Sequence, residues 1–149
     1  MRVLVNAPRA RVYNALVDAR AVAAWMAPTG MTCHVHEFEA RAGGSLRISL
    51  TYDEPARTGK TTAHTDTYHG RFVNLVPSKL VVETMEFETA EPALQGEMMV
   101  TFTLRDADGG TEVLAVHDNV PPGILPADNE TGWRMALNKL AGFVETGRV

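Results

Sequence analysis

The stretch that decides the fold is residues 128–145, DNETGWRMALNKLAGFVE, close to the end of the chain. It opens on Asp128 and Asn129, two residue types that favour the N-terminal cap of a helix. Apolar residues then recur at steps of three and four, the spacing of a helix with one buried face: Trp133, Leu137, Leu140, Ala141 and Val144. The stretch therefore predicts one long amphipathic helix that packs against the rest of the chain.

Most of the chain that precedes this helix has the pattern of β-strands. Alternating apolar and polar residues, interrupted by turn residues, predict strands at residues 32–40, 45–52, 67–76, 79–88, 97–105 and 111–118. A short strand at residues 2–6 and two short helices come first; the second helix spans residues 19–26 and Asp18 caps it. Strands joined by short turns favour an antiparallel meander, so residues 1–149 predict one α+β domain in which the long helix lies on a large sheet.

The charge distribution argues against two classes of partner. Lys and Arg number 14 against 18 Asp and Glu, a net charge of −4, and no basic cluster is present. Binding to nucleic acid or to an anionic membrane surface needs clustered basic residues, so we expect neither partner.

The same sequence predicts the cellular compartment of the protein. No apolar run approaches the roughly 20 residues that cross a bilayer, so we expect no membrane insertion. The N-terminus lacks the continuous apolar core of a secretory signal. The single Cys33 excludes an internal disulfide and fits a reducing compartment, which predicts a cytoplasmic protein.

Several local motifs follow one another in an order that is familiar from one group of proteins. They are Ala7-Pro8 before an apolar helix, Trp25-Met26-Ala27-Pro28 at the end of the second helix, residues 39–44 (EARAGG), Gly70-Arg71-Phe72, residues 76–80 (VPSKL), and Gly132-Trp133 in the last helix. Together they resemble the START-like superfamily, also called SRPBCC or helix-grip. More narrowly, they resemble the family named after the activator of the 90-kDa heat-shock protein's ATPase.

The resemblance carries expectations about fold and function. It implies a helix-grip fold, a curved antiparallel sheet of six to seven strands wrapped around the C-terminal helix, with two short helices after the first strand. Members include co-chaperone domains and polyketide cyclase-like proteins. The matched motifs are structural, and the family has no catalytic signature that maps onto this chain.

Space beside the long helix is the expected functional site, because a sheet curved around one helix often leaves room. Its entrance would lie between a polar loop at residues 53–66 and the proline-rich linker at residues 119–126 that leads into the long helix. A mostly apolar wall favours a small lipophilic molecule without a cofactor. The same side chains could instead form a solid core. The expected lining residues are Trp25, His36, Phe38, Leu46, Ile48, Tyr68, Phe72, Glu83, Met85, Met98, Phe102, His117, Trp133 and Leu137.

Three polar residues in that set are candidates for acid–base chemistry. Glu83, His36 and His117 would face an apolar interior, where an unpaired polar group is costly, and could converge on a ligand carbonyl or hydroxyl. In the alternative interpretation Glu83 faces solvent on a sheet edge, and His36 and His117 are hydrogen-bonded near the rim.

Metal binding is a further alternative. His34 and His36 share one strand face, and His64 and His69 flank the next hairpin. A zinc site needs at least three protein ligands, and spacing fixes no third one, so we expect no metal.

Three functions therefore remain open. The first is binding of a small hydrophobic ligand. The second is a co-chaperone-like interaction module that meets a protein partner or a second copy of the chain. The third is an enzyme of the polyketide cyclase or hydrolase type.

Overall fold

Seven strands and three α-helices make up residues 1–53 and 65–146, the part of the chain that the computed structural model describes. A single 3-10 turn, Pro92–Leu94, separates two of the strands. In chain order the elements are β1 (Arg2–Val5), α1 (Arg9–Val17), α2 (Ala19–Trp25), β2 (Met31–Phe38), β3 (Ser45–Tyr52), β4 (Thr65–Val76), β5 (Leu80–Phe87), β6 (Met98–Ala107), β7 (Gly110–Asp118) and α3 (Pro126–Glu145).

The seven strands form one antiparallel sheet in the order β1-β7-β6-β5-β4-β3-β2. Strands that follow each other from β2 to β7 are neighbours, while β1 pairs with β7 at the opposite edge. The concave face of this curved sheet packs against α3, and α1 and α2 pack beside it. The predicted α+β helix-grip architecture is confirmed. No helix among the described residues is long and apolar enough to cross a membrane.

The long helix begins two residues earlier than the sequence predicted. Asp128 and Asn129 do not cap it, because α3 starts at Pro126, whose missing N–H costs nothing in the first turn. Leu125 occupies the cap position without a side-chain hydrogen bond. Asp128 instead lies in the first turn, where its negative charge interacts favourably with the positive end of the helix dipole. The predicted apolar stripe is confirmed from Leu137 onward, where it is buried.

The placement of His34 and His36 on the concave face is wrong. Both are exposed, whereas Val35 and Phe38 pack against the core. A β-bulge between Val35 and Glu37 inserts one extra residue into β2. Strict alternation would keep Phe38 and His36 on one face, but the inserted residue breaks it and turns His36 outward.

Only the two ends of the predicted loop at residues 53–66 belong to the described residues. Residues 54–64 lie outside the described residues. Thr65 and Asp66, however, belong to β4, and Asp66 is only 2% exposed. The strand therefore reaches further toward the loop than its polar sequence indicated.

Trp25 links the two short helices to each other. Its indole Nε1 donates a hydrogen bond of 2.8 Å to the carbonyl of Ala15, one of the last carbonyls of α1, which has no partner within that helix. The side chain is 1% exposed. The bond therefore satisfies a buried helix end directly beside the core.

We expect Trp25→Phe to lower the free energy of unfolding by about 1–3 kcal/mol, because the Ala15 carbonyl loses its donor in a buried position. Urea denaturation measures the change. Trp133→Phe is the matched control, since the half-buried Trp133 forms no side-chain hydrogen bond with the described residues. Equal losses in the two variants would show that the bond to Ala15 contributes nothing of its own.

Candidate functional site

A cavity of about 140 Å³ lies between the N-terminal half of α3 and the concave face of the sheet. One wall is α3 with the linker before it, and the other is formed by β2 to β6 and the turn after α2. The lining residues are Met26, Pro28, Met31, Leu50, Asp66, Tyr68, Met85, Phe87, Met98, Ile124, Asp128, Asn129, Gly132, Trp133 and Ala136.

Four of the fifteen lining residues are methionines. Met26, Met31, Met85 and Met98 all line the cavity. A methionine side chain is unbranched and polarizable, so it adapts its shape to different neighbours. The wall can therefore adjust around an apolar guest without moving the backbone.

Small residues on α3 create the space. Gly132 and Ala136 are about one turn apart on the face of α3 that faces the sheet, and both line the cavity. Larger side chains at these two positions would occupy the volume that is now empty. Trp133 stands between them at the cavity wall.

The structure sorts the predicted lining residues into four groups. Tyr68, Met85, Met98 and Trp133 lie at the cavity wall; their contact with a ligand stays a prediction. A separate void of about 10 Å³, next to the cavity through the shared Met26, is lined by Trp25, Phe38, Ile48, Glu83 and Phe102. The buried Leu46, Phe72 and Leu137 line neither space. His36 lies on the outer face, and His117 is outside the cavity wall.

Glu83 is the most unusual group in the core. It lies on β5, the fourth of seven strands across the sheet, and is 5% exposed. Its position on a solvent-facing edge, one of the alternatives for this residue, is therefore wrong. Burial raises the pKa of Glu83 to about 8 from an ordinary 4.5, because the charged form loses its hydration. At neutral pH this residue is mostly an uncharged carboxylic acid.

His117 holds one end of the cavity wall in place. Its Nδ1 lies 3.1 Å from the amide Nδ2 of Asn129, and its ring packs edge-on against Trp133 with ring centres 4.5 Å apart. Burial lowers the pKa of His117 to about 4, so the ring is neutral at pH 7. Because the amide of Asn129 donates to Nδ1, the ring proton sits on Nε2. This residue positions Trp133 and Asn129, which do line the cavity.

Tyr68 lines the cavity but carries a fully buried hydroxyl. The residue is 4% exposed, and its hydroxyl has no hydrogen-bond partner in the described part of the chain. Burial, with a smaller effect from Glu83, raises the pKa of Tyr68 well above 10. The group is therefore a neutral hydroxyl at any physiological pH.

Sequence reasoning missed much of the wall on α3 and on the turn after α2. Asn129, Gly132 and Ala136 continue the face of Trp133 at helical spacing, but Gly and Ala carry no apolar signal strong enough to indicate a site. Met26 and Pro28 lie within the helix-end motif, which indicated structure alone. Ile124, in the predicted linker at residues 119–126, lines the cavity. The entrance between this linker and residues 53–66 stays a prediction.

The candidate metal ligands are dispersed. His34 and His36 contact each other on the outer face, and His69 lies 3.2 Å from Glu88. His64 lies outside the described residues. Within residues 1–53 and 65–146 no three metal-binding side chains come together. The absence of a metal stays an expectation.

Comparisons with known proteins agree with this geometry. A family model described as Activator of Hsp90 ATPase homolog 1-like protein matches residues 6–145. The structure of protein CV1439 from Chromobacterium violaceum is 32% identical, with a TM-score of 0.88 over 97% of this chain and 94% of that one. A protein from Rhodobacter sphaeroides is 21% identical, with a TM-score of 0.80 over 97% and 90% of the two chains.

A further similar structure is longer than this chain. DynU16, described as a protein in the dynemicin biosynthetic locus, is 25% identical with a TM-score of 0.68. The match covers 99% of this chain but 46% of DynU16. No curated protein sequence matches this chain significantly.

Proposed function

Because the chain belongs to the Activator of Hsp90 ATPase homolog 1-like family of START-like proteins, we propose that it binds a small hydrophobic molecule between α3 and the sheet. The observation that carries the proposal is the apolar cavity of about 140 Å³ beside Trp133. A methionine-rich wall provides dispersion contacts to an apolar guest and demands no fixed guest shape.

The size of the cavity limits the guest. Pockets for drug-sized ligands usually measure about 300–1,000 Å³. An engineered apolar cavity of about 150 Å³ stays dry and binds benzene. The present cavity therefore suits a molecule with a single ring or a short branched chain.

Binding is supported better than catalysis. Of the three candidate acid–base residues, His36 faces away from the cavity, and His117 lies behind Trp133. Glu83 borders the smaller void of about 10 Å³, which holds at most one water molecule. The three groups therefore do not meet at one point where a substrate could sit.

The likeness to DynU16 adds support for a small-molecule role, since that protein comes from a biosynthetic locus. An interaction module, the alternative that the family name suggests, would leave the cavity without a role. A cytoplasmic location, to which the single Cys33 points, is part of the proposal.

The methionines provide a direct test by NMR. The chain has seven, of which Met26, Met31, Met85 and Met98 line the cavity. With ¹³C-methyl methionine label and toluene as the probe, we expect saturable ring-current shifts at these four methyls. The control signals are Met1, Met99 and Met135, which lie outside the cavity wall and should not move. Shifts of equal size at all seven methyls, or at none, would contradict the proposal.

A further inference from the structure

Glu83 combines deep burial with the lack of a partner. It is 5% exposed, and no hydrogen bond or ion pair within the described residues reaches its carboxyl group. Two other buried side-chain atoms in that part of the chain lack a partner, the Tyr68 hydroxyl and His117 Nε2, and both are fully enclosed by protein. The carboxyl oxygens of Glu83 are not enclosed in this way, because the residue borders the void of about 10 Å³.

The carboxyl of Glu83 is the one polar side-chain group among the described residues that is free to bond in this void. The other lining residues are Leu16, Val22, Trp25, Met26, Phe38, Ile48 and Phe102. The indole N–H of Trp25 already donates to the Ala15 carbonyl. A buried polar group without a partner is costly. A buried water usually needs about two to four polar partners, so a void with a single free carboxyl holds a water poorly.

The void lies directly behind the proposed binding cavity. On β3, Ile48 lines the void and Leu50 lines the cavity. On β5, Glu83 and Met85 stand in the same relation. Residues two apart on a strand are successive positions on one face, separated by about 7 Å. Met26 is the one described residue that lines both spaces, and a rotamer change of its unbranched side chain joins them.

We infer that the cavity and the void form one binding site, in which an uncharged guest places its apolar body in the cavity and a single hydroxyl or carbonyl oxygen beside Glu83. This inference rests on the proposed function, since it names the polar group of the molecule that the cavity takes. The void has room for about one oxygen atom, the size of a water molecule. An ammonium or carboxylate there would lose its hydration among apolar side chains, so the guest is an alcohol, ketone or aldehyde.

A matched pair of guests tests the inference. The two molecules 2-phenylethanol and propylbenzene have nearly the same shape and differ at the end of a short chain, in a hydroxyl against a methyl group. Their dissociation constants can be measured from the methyl shifts of Met31, Met85 and Met98. We expect Glu83→Leu to weaken 2-phenylethanol by about five- to tenfold, the usual contribution of one neutral hydrogen bond, and not to weaken propylbenzene.

Two further variants serve as controls. Glu83→Gln keeps a hydrogen-bonding group at the same place, so it should retain most of the affinity for 2-phenylethanol that Glu83→Leu loses. Glu86→Leu removes a carboxyl from the opposite face of β5, from a residue that lines neither space, and should change neither dissociation constant. Thermal unfolding verifies that all three variants are folded.

A crystal structure of the wild-type protein with 2-phenylethanol shows the contact directly. We expect the hydroxyl oxygen within hydrogen-bond distance of the Glu83 carboxyl, with the side chain of Met26 moved aside. A hydroxyl that points outward to the rim beside Asp128 overturns the inference, and so does an equal effect of Glu83→Leu on both guests. If toluene binds and 2-phenylethanol does not, the inference alone fails. If toluene does not bind either, the proposed function fails with it.

Discussion

Glu83→Gln should raise the free energy of unfolding at pH 7 by on the order of 3 kcal/mol, given a pKa of about 8 in the folded protein against an ordinary 4.5. Between these two values the unfolded chain has lost its proton while the folded protein retains it. The folded state therefore binds more protons, and stability falls as pH rises through this window.

The pH profile identifies the cause. Below about pH 4.5 the carboxyl is protonated in both states, so any difference between wild type and Glu83→Gln is independent of pH. The gain of the variant should then grow up to about pH 8 and stay constant above it. Chemical denaturation at a series of pH values measures this profile.

Glu86→Gln is the control for this profile. Glu86 lies on the same strand, half-buried, on the opposite face. Its substitution should not reproduce the rise between pH 4.5 and 8. If the difference between wild type and Glu83→Gln were flat over that range, Glu83 would be ionised in the folded protein, and its burial would have to be compensated by a partner.

The second large effect is expected from filling the cavity. Ala136→Leu adds three carbon atoms to a side chain that faces empty space. Each additional buried methylene contributes about 0.8 kcal/mol, and fixing the Leu side chain costs about 0.5–1 kcal/mol of rotamer freedom, so we expect a gain in stability of about 1–2 kcal/mol. The same atoms occupy the place of a guest, and we expect the affinity for toluene to fall at least tenfold.

Ala15→Leu is the matched substitution in a filled region. Ala15 is fully buried on α1 and lines neither the cavity nor the small void. Overpacking of a well-filled core costs about 1–3 kcal/mol, so this variant should lose stability. Denaturation curves of both variants, with toluene titrations of each, provide the comparison. A loss of stability in Ala136→Leu equal to that in Ala15→Leu would mean that the space beside Ala136 closes in solution.

The architecture could be predicted from the sequence because its signals are long and repeated. The apolar stripe that ends at Val144 spans several helical turns, and the strands alternate over many residues. The error in strand β2 arose because a single inserted residue changes which face of the sheet a side chain occupies. The bulge after Val35 shifts the alternation by one position and exchanges the two faces of the strand, so His36 was placed on the wrong side.

The cavity itself was harder to predict, because it exists where two side chains of the long helix are too small to fill the space. Gly132 and Ala136 shape it through their small size, and neither residue type marks a site in a sequence. Tyr68 and Glu83 were both expected to line it. The placement of Glu83 beside the smaller void depends on how Met26 and its neighbours pack, which alternation alone does not determine.

The central claim is that open apolar space exists between α3 and the sheet. A crystal structure under xenon pressure tests it most directly, since xenon enters empty apolar cavities. We predict a xenon atom enclosed by Trp133, Met85 and Met98. Xenon found elsewhere but not there, with the methionine side chains filling that space, would contradict the account.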